Sequence, residues 1–199
     1  MAYMARDERR GQIMNAVVEI VARERLAAAT VRRIAQALDC SPGQIHHHFS
    51  SADALRAEAV REVWCRLEPQ FVALLHRLPP RERLVTMLSG CCSAFADEIG
   101  PVMLVAERLW KEAWDIRREP AVRESIAEGI GKMRDEIIQT LQDGMHAGIF
   151  PADMDVSRLS LVLIAATQGY DLLAEIGAAG ELGTDKAAYV EELLRKEGL

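Results

Sequence analysis

The sequence lacks several features that would place it in a specialised class of protein. No apolar run approaches the roughly 20 residues needed to span a bilayer. The first ten residues mix charges and contain no hydrophobic segment, which argues against a signal peptide. The four cysteines (Cys40, Cys65, Cys91 and Cys92) have neither disulfide nor zinc-finger spacing, so we expect reduced thiols in a cytoplasmic protein.

The motifs of common enzyme classes are also absent. There is no glycine-rich phosphate loop, no G-x-S-x-G nucleophile elbow, no H-E-x-x-H pair and no single cysteine with an obvious base. The acidic residues alternate with Lys and Arg at helical spacings, as they do on solvated helix faces. We therefore expect a protein that is not an enzyme and that carries no cofactor and no metal.

What the sequence does contain is an uneven distribution of charge. The 199 residues carry a net charge of −6, but residues 1–50 hold seven basic and five acidic residues, a balance of +2. Residues 51–199 hold 17 basic and 25 acidic residues, a balance of −8. A basic head on an acidic body is the asymmetry expected of a head that meets a polyanion. A balance of +2 over fifty residues also arises by chance, so charge alone does not decide the function.

Residue composition and spacing predict an all-α fold. Ala, Leu, Glu and Arg dominate, and no stretch alternates apolar and polar residues long enough for a sheet. The spacing predicts helices over residues 7–25, 30–38, 41–49, 51–76, 81–99, 102–115, 120–147, 155–178 and 185–196. Pro79-Pro80 and Gly100-Pro101 predict breaks, and Pro69 predicts a kink or break within its helix.

Residues 30–49 predict a helix-turn-helix. Thr30 is a good N-cap for the first short helix, and Asp39-Cys40 makes the turn. Ser41 followed by Pro42 favours a second helix start, because the hydroxyl can accept from free N–H groups and proline at N1 gives up a donor without a partner. Ile45 and Phe49, spaced i, i+4, would then face the core.

Three of the five histidines, residues 46–48, stand at the end of this second helix. With Gln44 they could meet base edges in the major groove or phosphate oxygens beside it. A metal site is less favoured, because successive helical residues point about 100° apart and no i, i+4 histidine pair is present. A third interpretation is that the histidines only cap a surface helix.

These residues resemble the DNA-binding domain of the tetracycline-repressor (TetR) family. The resemblance rests on the blocks T-V-R-R-I-A (residues 30–35) and S-P-G-Q-I-H-H-H-F (residues 41–49), followed by Leu55. It implies a three-helix DNA-binding head at residues 1–50 and a helical effector-binding and dimerisation body at residues 51–199. It also implies a ligand-responsive regulator, most often a repressor, which binds a palindromic operator as a homodimer through helices near 155–178 and 185–197. The DNA-contacting residues would be Thr30, Arg32, Arg33, Ser41, Pro42, Gln44, His46, His47 and His48.

Three positions depart from the family pattern. His46 replaces a tyrosine that typically touches a phosphate, and Asp39 replaces a turn glycine, although Asp tolerates a left-handed backbone better than most residues. Ala52 replaces a lysine, which removes one expected phosphate contact and should lower affinity rather than change the sequence read. An alternative function is therefore a helical small-molecule-binding or adaptor protein with a vestigial head.

The body resembles the subgroup that includes the choline-responsive betaine-pathway repressor. The similarity is looser than that of the head, and it indicates architecture better than ligand. It is carried by L-W-K-E-A-W (residues 109–114), R-E-P (118–120), G-M-H-A-G-I-F (144–150) and D-M-D (153–155).

Aromatic, sulfur-containing and acidic side chains in the body are the candidate effector-binding residues: Met87, Cys91, Phe95, Met103, Glu107, Trp110, Trp114 and Asp171. Met87, Cys91 and Phe95 are spaced as one stripe on the helix predicted over 81–99. The same residue types at helical spacing also form ordinary cores. A carboxylate beside a tryptophan would suit a cationic effector. Cys91-Cys92 as a redox switch is a further, less favoured hypothesis.

The helix predicted over 155–178 is apolar around much of its circumference. Such a helix is either buried within one chain or packed against a twofold-related copy. An operator of two half-sites needs two heads about one DNA turn apart, or a small multiple of that, which favours the dimer.

Overall fold

The computed structural model describes residues 6–90, 95–183 and 185–199. These residues form nine α-helices and no β-strand, which confirms the predicted all-α fold. The helices are α1 (Arg6–Arg23), α2 (Val31–Ala37), α3 (Pro42–His46), α4 (Ala52–Leu75), α5 (Pro80–Ser89), α6 (Ala96–Asp115), α7 (Pro120–His146), α8 (Val156–Glu175) and α9 (Lys186–Lys196). In the part of the chain described, no helix is long and apolar enough to cross a membrane.

The first of two compact units comprises Met1–Pro69 and Pro101–Ile130. Its helix α2 packs against both α1 and α3. The apolar stripe of α1 is buried, as its i, i+3, i+4 spacing predicts. The buried residues of that stripe are Ile13, Met14, Val17, Ile20 and Val21.

Helix α6 holds the end of α1 within this unit by polar contacts. Arg108 Nη2 donates to the carbonyl oxygens of Val21 at 2.5 Å and Ala22 at 2.7 Å, in the last turn of α1. A cation at that position satisfies carbonyl groups without intrahelical partners and complements the helix dipole. One turn further along α6, Glu112 Oε2 accepts from the backbone N–H of Leu26 at 2.5 Å. The exit of α1 is therefore fixed by two oppositely charged side chains.

The second unit comprises Gln70–Gly100 and Gly131–Leu199, and its helix α9 packs against α5 and α8. A buried arginine, Arg83, donates to Asp143 Oδ2 at 2.8 Å. Burial alone would raise the pKa of Asp143, but hydrogen bonds from Gln139 and Arg83 and the nearby charges of Arg83 and His76 outweigh it and hold that pKa below its ordinary value. The carboxylate therefore stays ionised and neutralises the buried guanidinium.

Several local predictions hold. Thr30 caps α2, since its side chain accepts from the N–H of Arg33 at 3.2 Å. Asp39 has a φ of 47°, the left-handed conformation that its place in the turn requires. Gly148 stands just past α7 with a φ of 69°, as expected of a glycine beyond a helix end. The break predicted at Pro69 is wrong, because α4 continues through this residue; the kink stays a prediction.

The helix predicted over 81–99 and the break predicted at Gly100-Pro101 are wrong. Helix α5 ends at Ser89, because Gly90 takes the left-handed conformation (φ 69°, ψ 6°) that terminates a helix. Helix α6 then runs through Pro101. An internal proline removes one backbone donor, and here that loss does not end the helix.

The third helix is also shorter than predicted. It ends at His46 rather than near Phe49, and the Ser41 hydroxyl makes no capping hydrogen bond. The Ser41 carbonyl instead accepts from the N–H of Gln44 at 3.0 Å. The first turn is therefore closed by the backbone, with Pro42 at N1 supplying the helical φ.

The two compact units do not coincide with the division predicted at residue 50. The predicted division separates a DNA-binding head from an effector-binding body by function, and it stays a prediction.

Candidate nucleic-acid interface

Helix α3 is anchored by its buried side and offers its other side to solvent. Ile45 is fully buried and Phe49, just beyond the helix, is nearly so. Gln44, His46 and His47 are exposed. This distribution is the one that the i, i+4 spacing of the two anchors predicts. The short helix therefore presents a polar face without contributing much core of its own.

The remaining residues of the proposed DNA-contacting set differ in how free they are. Ser41, Pro42 and Arg32 are exposed, and Arg32 forms no ion pair in the described part of the chain. Arg33 is engaged, because its Nη2 lies 2.7 Å and its Nε 3.1 Å from Glu24 Oε1. A phosphate would have to compete with this carboxylate for Arg33. Of the two arginines, Arg32 is the one ready to bind an anion.

Arg10 of α1 contacts the turn that follows α3. The sequence alone does not identify this residue. Its Nη1 donates to the His48 carbonyl at 2.9 Å, and its guanidinium lies 4.5 Å from the centroid of the Phe49 ring. Its Nη2 pairs with the carboxylate of Glu58 on α4. Three separate contacts by one side chain fix the turn after α3. No spacing rule could have found them, since the partners lie 38 to 48 residues away.

His48 is half-buried in this turn and electrostatically disfavoured as a cation. Burial lowers its pKa, and the positive charges of His47, Arg6, Arg10 and Arg9 lower it further. The rings of His47 and His48 meet edge to face, with centroids 5.6 Å apart. Over residues 6–90, 95–183 and 185–199, no group of three or more His, Cys, Asp or Glu side chains has the arrangement of a metal site.

The candidate effector-binding residues are divided between the two units. Met103, Glu107, Trp110 and Trp114 lie on α6 in the first unit. In the second unit, Met87 is on α5 and the buried Phe95 stands just before α6, so the two do not share a helix stripe as predicted. Asp171, on α8 of that unit, pairs with Lys186 at 2.6 Å. Cys91, like Cys92, lies outside the described residues.

Three tryptophans form one aromatic cluster in the first unit. The rings of Trp110 and Trp114 are stacked with centroids 6.4 Å apart, and Trp64 of α4 meets Trp110 edge to face at 5.9 Å. A Cβ at Gly129 would lie 3.0 Å from Trp110 Cζ3, so glycine makes room for this ring. Arg117 lies over Trp114 with its guanidinium carbon 5.5 Å from the ring centroid.

Sequence reasoning missed Trp64, which sits on a different helix from the other two tryptophans. Its indole N–H is buried and has no hydrogen-bond partner among the described residues. A buried donor without a partner is costly unless water or a ligand satisfies it.

Helix α8 carries an apolar stripe that faces solvent. Leu161, Leu172 and Ile176 are 51%, 60% and 68% exposed, and Ala165 between them is exposed too. Their spacing places them on one helix face. Gly169 on the same face has open space where a side chain would stand. An exposed stripe of this length is unusual for a surface that only water covers.

No protein-family model matches the sequence. The chain is similar to the helix-turn-helix transcriptional repressor KstR2 of Mycobacterium tuberculosis, at 26% identity over 75% of this chain and 73% of the repressor. A TetR-family transcriptional regulator from Cytophaga hutchinsonii matches with a TM-score of 0.69 and 18% identity, over 98% of this chain and 96% of that one. A candidate transcriptional regulator from Saccharomonospora viridis, solved in complex with choline, matches with a TM-score of 0.67 and 23% identity, over 96% and 97%. The chain therefore has the TetR-family fold, as the resemblance of the head predicts.

Proposed function

We propose that this chain is a ligand-responsive, DNA-binding transcriptional regulator that represses genes by binding a palindromic operator as a dimer. One observation carries the proposal: α3 is the second helix of a helix-turn-helix. It is anchored by the buried Ile45, and Gln44, His46 and His47 are exposed on it and at its end. Polar side chains placed in this way reach base edges in the major groove. A protein that reads DNA works where the DNA is, so the proposal implies a cytoplasmic location.

Within this proposal the head residues have distinct roles. Gln44 and His47 read base edges, and His46 donates to a phosphate in place of the family's tyrosine. Arg32, together with the backbone at Ser41 and Pro42, contacts the phosphates that set the register of the helix. Thr30 caps the start of α2. Arg33 binds a DNA phosphate only when its ion pair with Glu24 is broken. His48 shapes the turn rather than carrying charge.

The first test is a selection from random DNA with the purified protein at physiological salt. We expect enrichment of a palindromic sequence with two half-sites. The double variant Arg32→Ala, His47→Ala should lose it, whereas Arg123→Ala, which removes an exposed arginine from α7, should not. A wild-type protein that enriches no sequence would contradict the proposal.

The same experiment separates the alternative function, a helical small-molecule-binding or adaptor protein with a vestigial head. Ala52 and the Glu24–Arg33 pair are the features that favour it, since each leaves one positive charge fewer for phosphates. A vestigial head would show no preferred sequence and little dependence of binding on salt.

The proposed effector is a small cationic molecule that binds beside the tryptophan cluster. Glu107, Trp110 and Trp114 share one face of α6, so a carboxylate and aromatic rings could attract one cation. The guanidinium of Arg117 over Trp114 is the kind of cation–ring contact that the proposed effector would make, and an effector bound at this ring would have to displace it. An effector with an oxygen acceptor would also satisfy the indole N–H of Trp64. The choline bound by the Saccharomonospora viridis protein has both properties.

Thermal-shift measurements with choline-like amines and with neutral apolar compounds test this effector class. We expect the amines to raise the melting temperature of the wild-type protein and to lose that effect in Trp110→Ala. Stabilisation by the neutral compounds alone would instead indicate an apolar effector. The remaining candidates Met87, Cys91, Phe95, Met103 and Asp171 would then be tested one at a time.

The homodimer is proposed to form through the apolar stripe of α8 with support from α9. In the proposed mechanism the effector shifts α4, which follows the head directly, and so alters the spacing of the two recognition helices. An effector achieves this only by binding more tightly to the spacing that does not fit DNA. Its affinity must therefore fall when operator DNA is present.

A further inference from the structure

A contact between α1 and α3 bears on which base the proposed regulator reads. Arg9 Nη2 donates to Gln44 Oε1 at 3.0 Å, across 35 residues of sequence. Arg9 Nη1 donates to Gln12 Oε1, also at 3.0 Å, one turn further along α1. Gln12 on the same helix therefore fixes the Arg9 guanidinium, and the guanidinium in turn fixes the carboxamide of Gln44 on α3. Gln44 is thus fixed at both its backbone and its side-chain oxygen.

The chemistry of arginine decides which way the Gln44 carboxamide faces. A guanidinium has only donors, so the carboxamide atom that meets it must be the oxygen. The amide nitrogen Nε2 then points away from Arg9, and it has no hydrogen-bond partner among the described residues. The side chain is exposed. Arg9 therefore turns the two amide hydrogens of Gln44 outward as free donors.

The two purines make different demands on such a side chain. Guanine presents two acceptors, N7 and O6, in the major groove, whereas adenine presents the acceptor N7 beside the N6 amino donor. A glutamine reads adenine by turning both its oxygen and its nitrogen towards the same base. With the Gln44 oxygen turned to Arg9, both groups cannot face one base. The outward amide hydrogens still fit either acceptor of guanine.

We propose that Arg9 is a specificity-determining positioning residue, which orients Gln44 to read guanine and to reject adenine at one position of each half-site. The inference rests on the proposed function and adds a base preference to it. It also assigns a role to a residue of α1, outside the helix-turn-helix. Without Arg9 the carboxamide can rotate and pair with either purine.

The test is the selection from random DNA repeated with Gln44→Ala, Arg9→Ala, Arg9→Lys and Arg6→Ala. We expect the wild-type motif to contain a guanine whose preference disappears in Gln44→Ala. In Arg9→Ala the preference for guanine over adenine at that position should fall about tenfold, while the other positions keep their preferences. Arg9→Lys keeps a donor and the charge, so it should restore part of the preference.

Arg6→Ala is the matched control, because it removes one positive charge from the same end of α1 without touching Gln44. It should weaken binding to all sequences equally and lower the salt dependence by about one unit of slope. If Arg9→Ala behaves in the same way and leaves every base preference intact, Arg9 is a simple phosphate contact and the inference is wrong. Adenine at the position read by Gln44 would overturn it as well. A wild-type protein without any motif overturns the proposed function itself, together with this inference.

Discussion

Helices α3 and α8 both turn side chains to solvent, but the exposed groups differ in chemistry. Helix α3 has five residues and exposes Gln44 and His46, and His47 is exposed at its C-cap. Helix α8 has 20 residues and exposes Leu161, Leu172 and Ile176. Each helix also has a buried side that joins a core. The two surfaces therefore fit different partners: the surface of α3 fits a partner with hydrogen-bonding groups, and that of α8 fits an apolar one.

The two surfaces are also stabilised in different ways. The polar surface depends on side-chain ties from α1, where Arg9 holds Gln44 and Arg10 holds the turn after α3. Hydrogen bonds have direction, so such ties fix the orientation of the groups that they hold. The apolar surface needs no ties, because burial of apolar area has no preferred direction. Recognition of a base sequence requires the first kind of surface, and association of two copies can use the second.

We expect the largest effect from a charge in the apolar stripe. Leu172→Asp should convert the proposed dimer to a monomer and weaken operator binding about a hundredfold or more, because one head alone loses the effective concentration of the second. Sedimentation equilibrium and operator titration measure the two effects. Ala174→Asp is the control, since this exposed residue lies about 200° around the helix from Leu172. A monomeric wild-type protein, or a dimeric Leu172→Asp variant, would contradict the proposed interface.

We expect an intermediate effect from releasing Arg33 on the polar side. Glu24→Ala removes the carboxylate that holds this arginine, so operator affinity should rise roughly threefold to tenfold with a steeper salt dependence. Glu19→Ala removes an exposed carboxylate from α1, five residues before Glu24, but one that forms no ion pair in the described part of the chain. An equal rise in both variants would mean that the overall charge of the head matters and the pair does not.

We expect the smallest effect from the titration of His48. Burial and four positive neighbours lower its folded-state pKa below the ordinary value of about 6.5, so the unfolded chain binds this proton more readily. Stability should therefore fall as the pH drops through about 6.5 towards the folded-state pKa, and stay constant above that range. Chemical denaturation at several pH values should show a shallower fall in His48→Gln. An identical pH dependence in both proteins would contradict this assignment.

Local structure could be predicted from the sequence wherever one residue type has a strong backbone preference. The Thr30 cap, the left-handed Asp39 and the glycine after α7 belong to this group. Ser41 has the same kind of signal, but the backbone closed the first turn of α3 without its hydroxyl. The sequence does not single out Gly90 as a helix end, because Gly100-Pro101 is the stronger terminator signal nearby. In the folded chain the isolated glycine ends the helix and the proline does not.

The contacts that tune the candidate site could not be predicted, because they join residues far apart in sequence. Arg9 meets Gln44, Arg10 meets Glu58 and Trp64 meets Trp110 through the packing of separate helices. Periodicity assigns a residue to a helix face but does not identify the side chain opposite. The sequence also does not decide whether the apolar stripe of α8 is buried within one chain or packed against a second copy. The exposure of the stripe in one chain favours packing against a second copy.

The tryptophan cluster has a practical consequence for experiments on this protein. All three tryptophans of the sequence, at positions 64, 110 and 114, lie in the first unit. The stacked pair Tyr170 and Tyr189 lies in the second unit, with centroids 4.8 Å apart. Selective excitation of indole therefore gives an optical signal from one half of the molecule without any added label. A change of that emission during denaturation would report the unfolding of the first unit separately from that of the second.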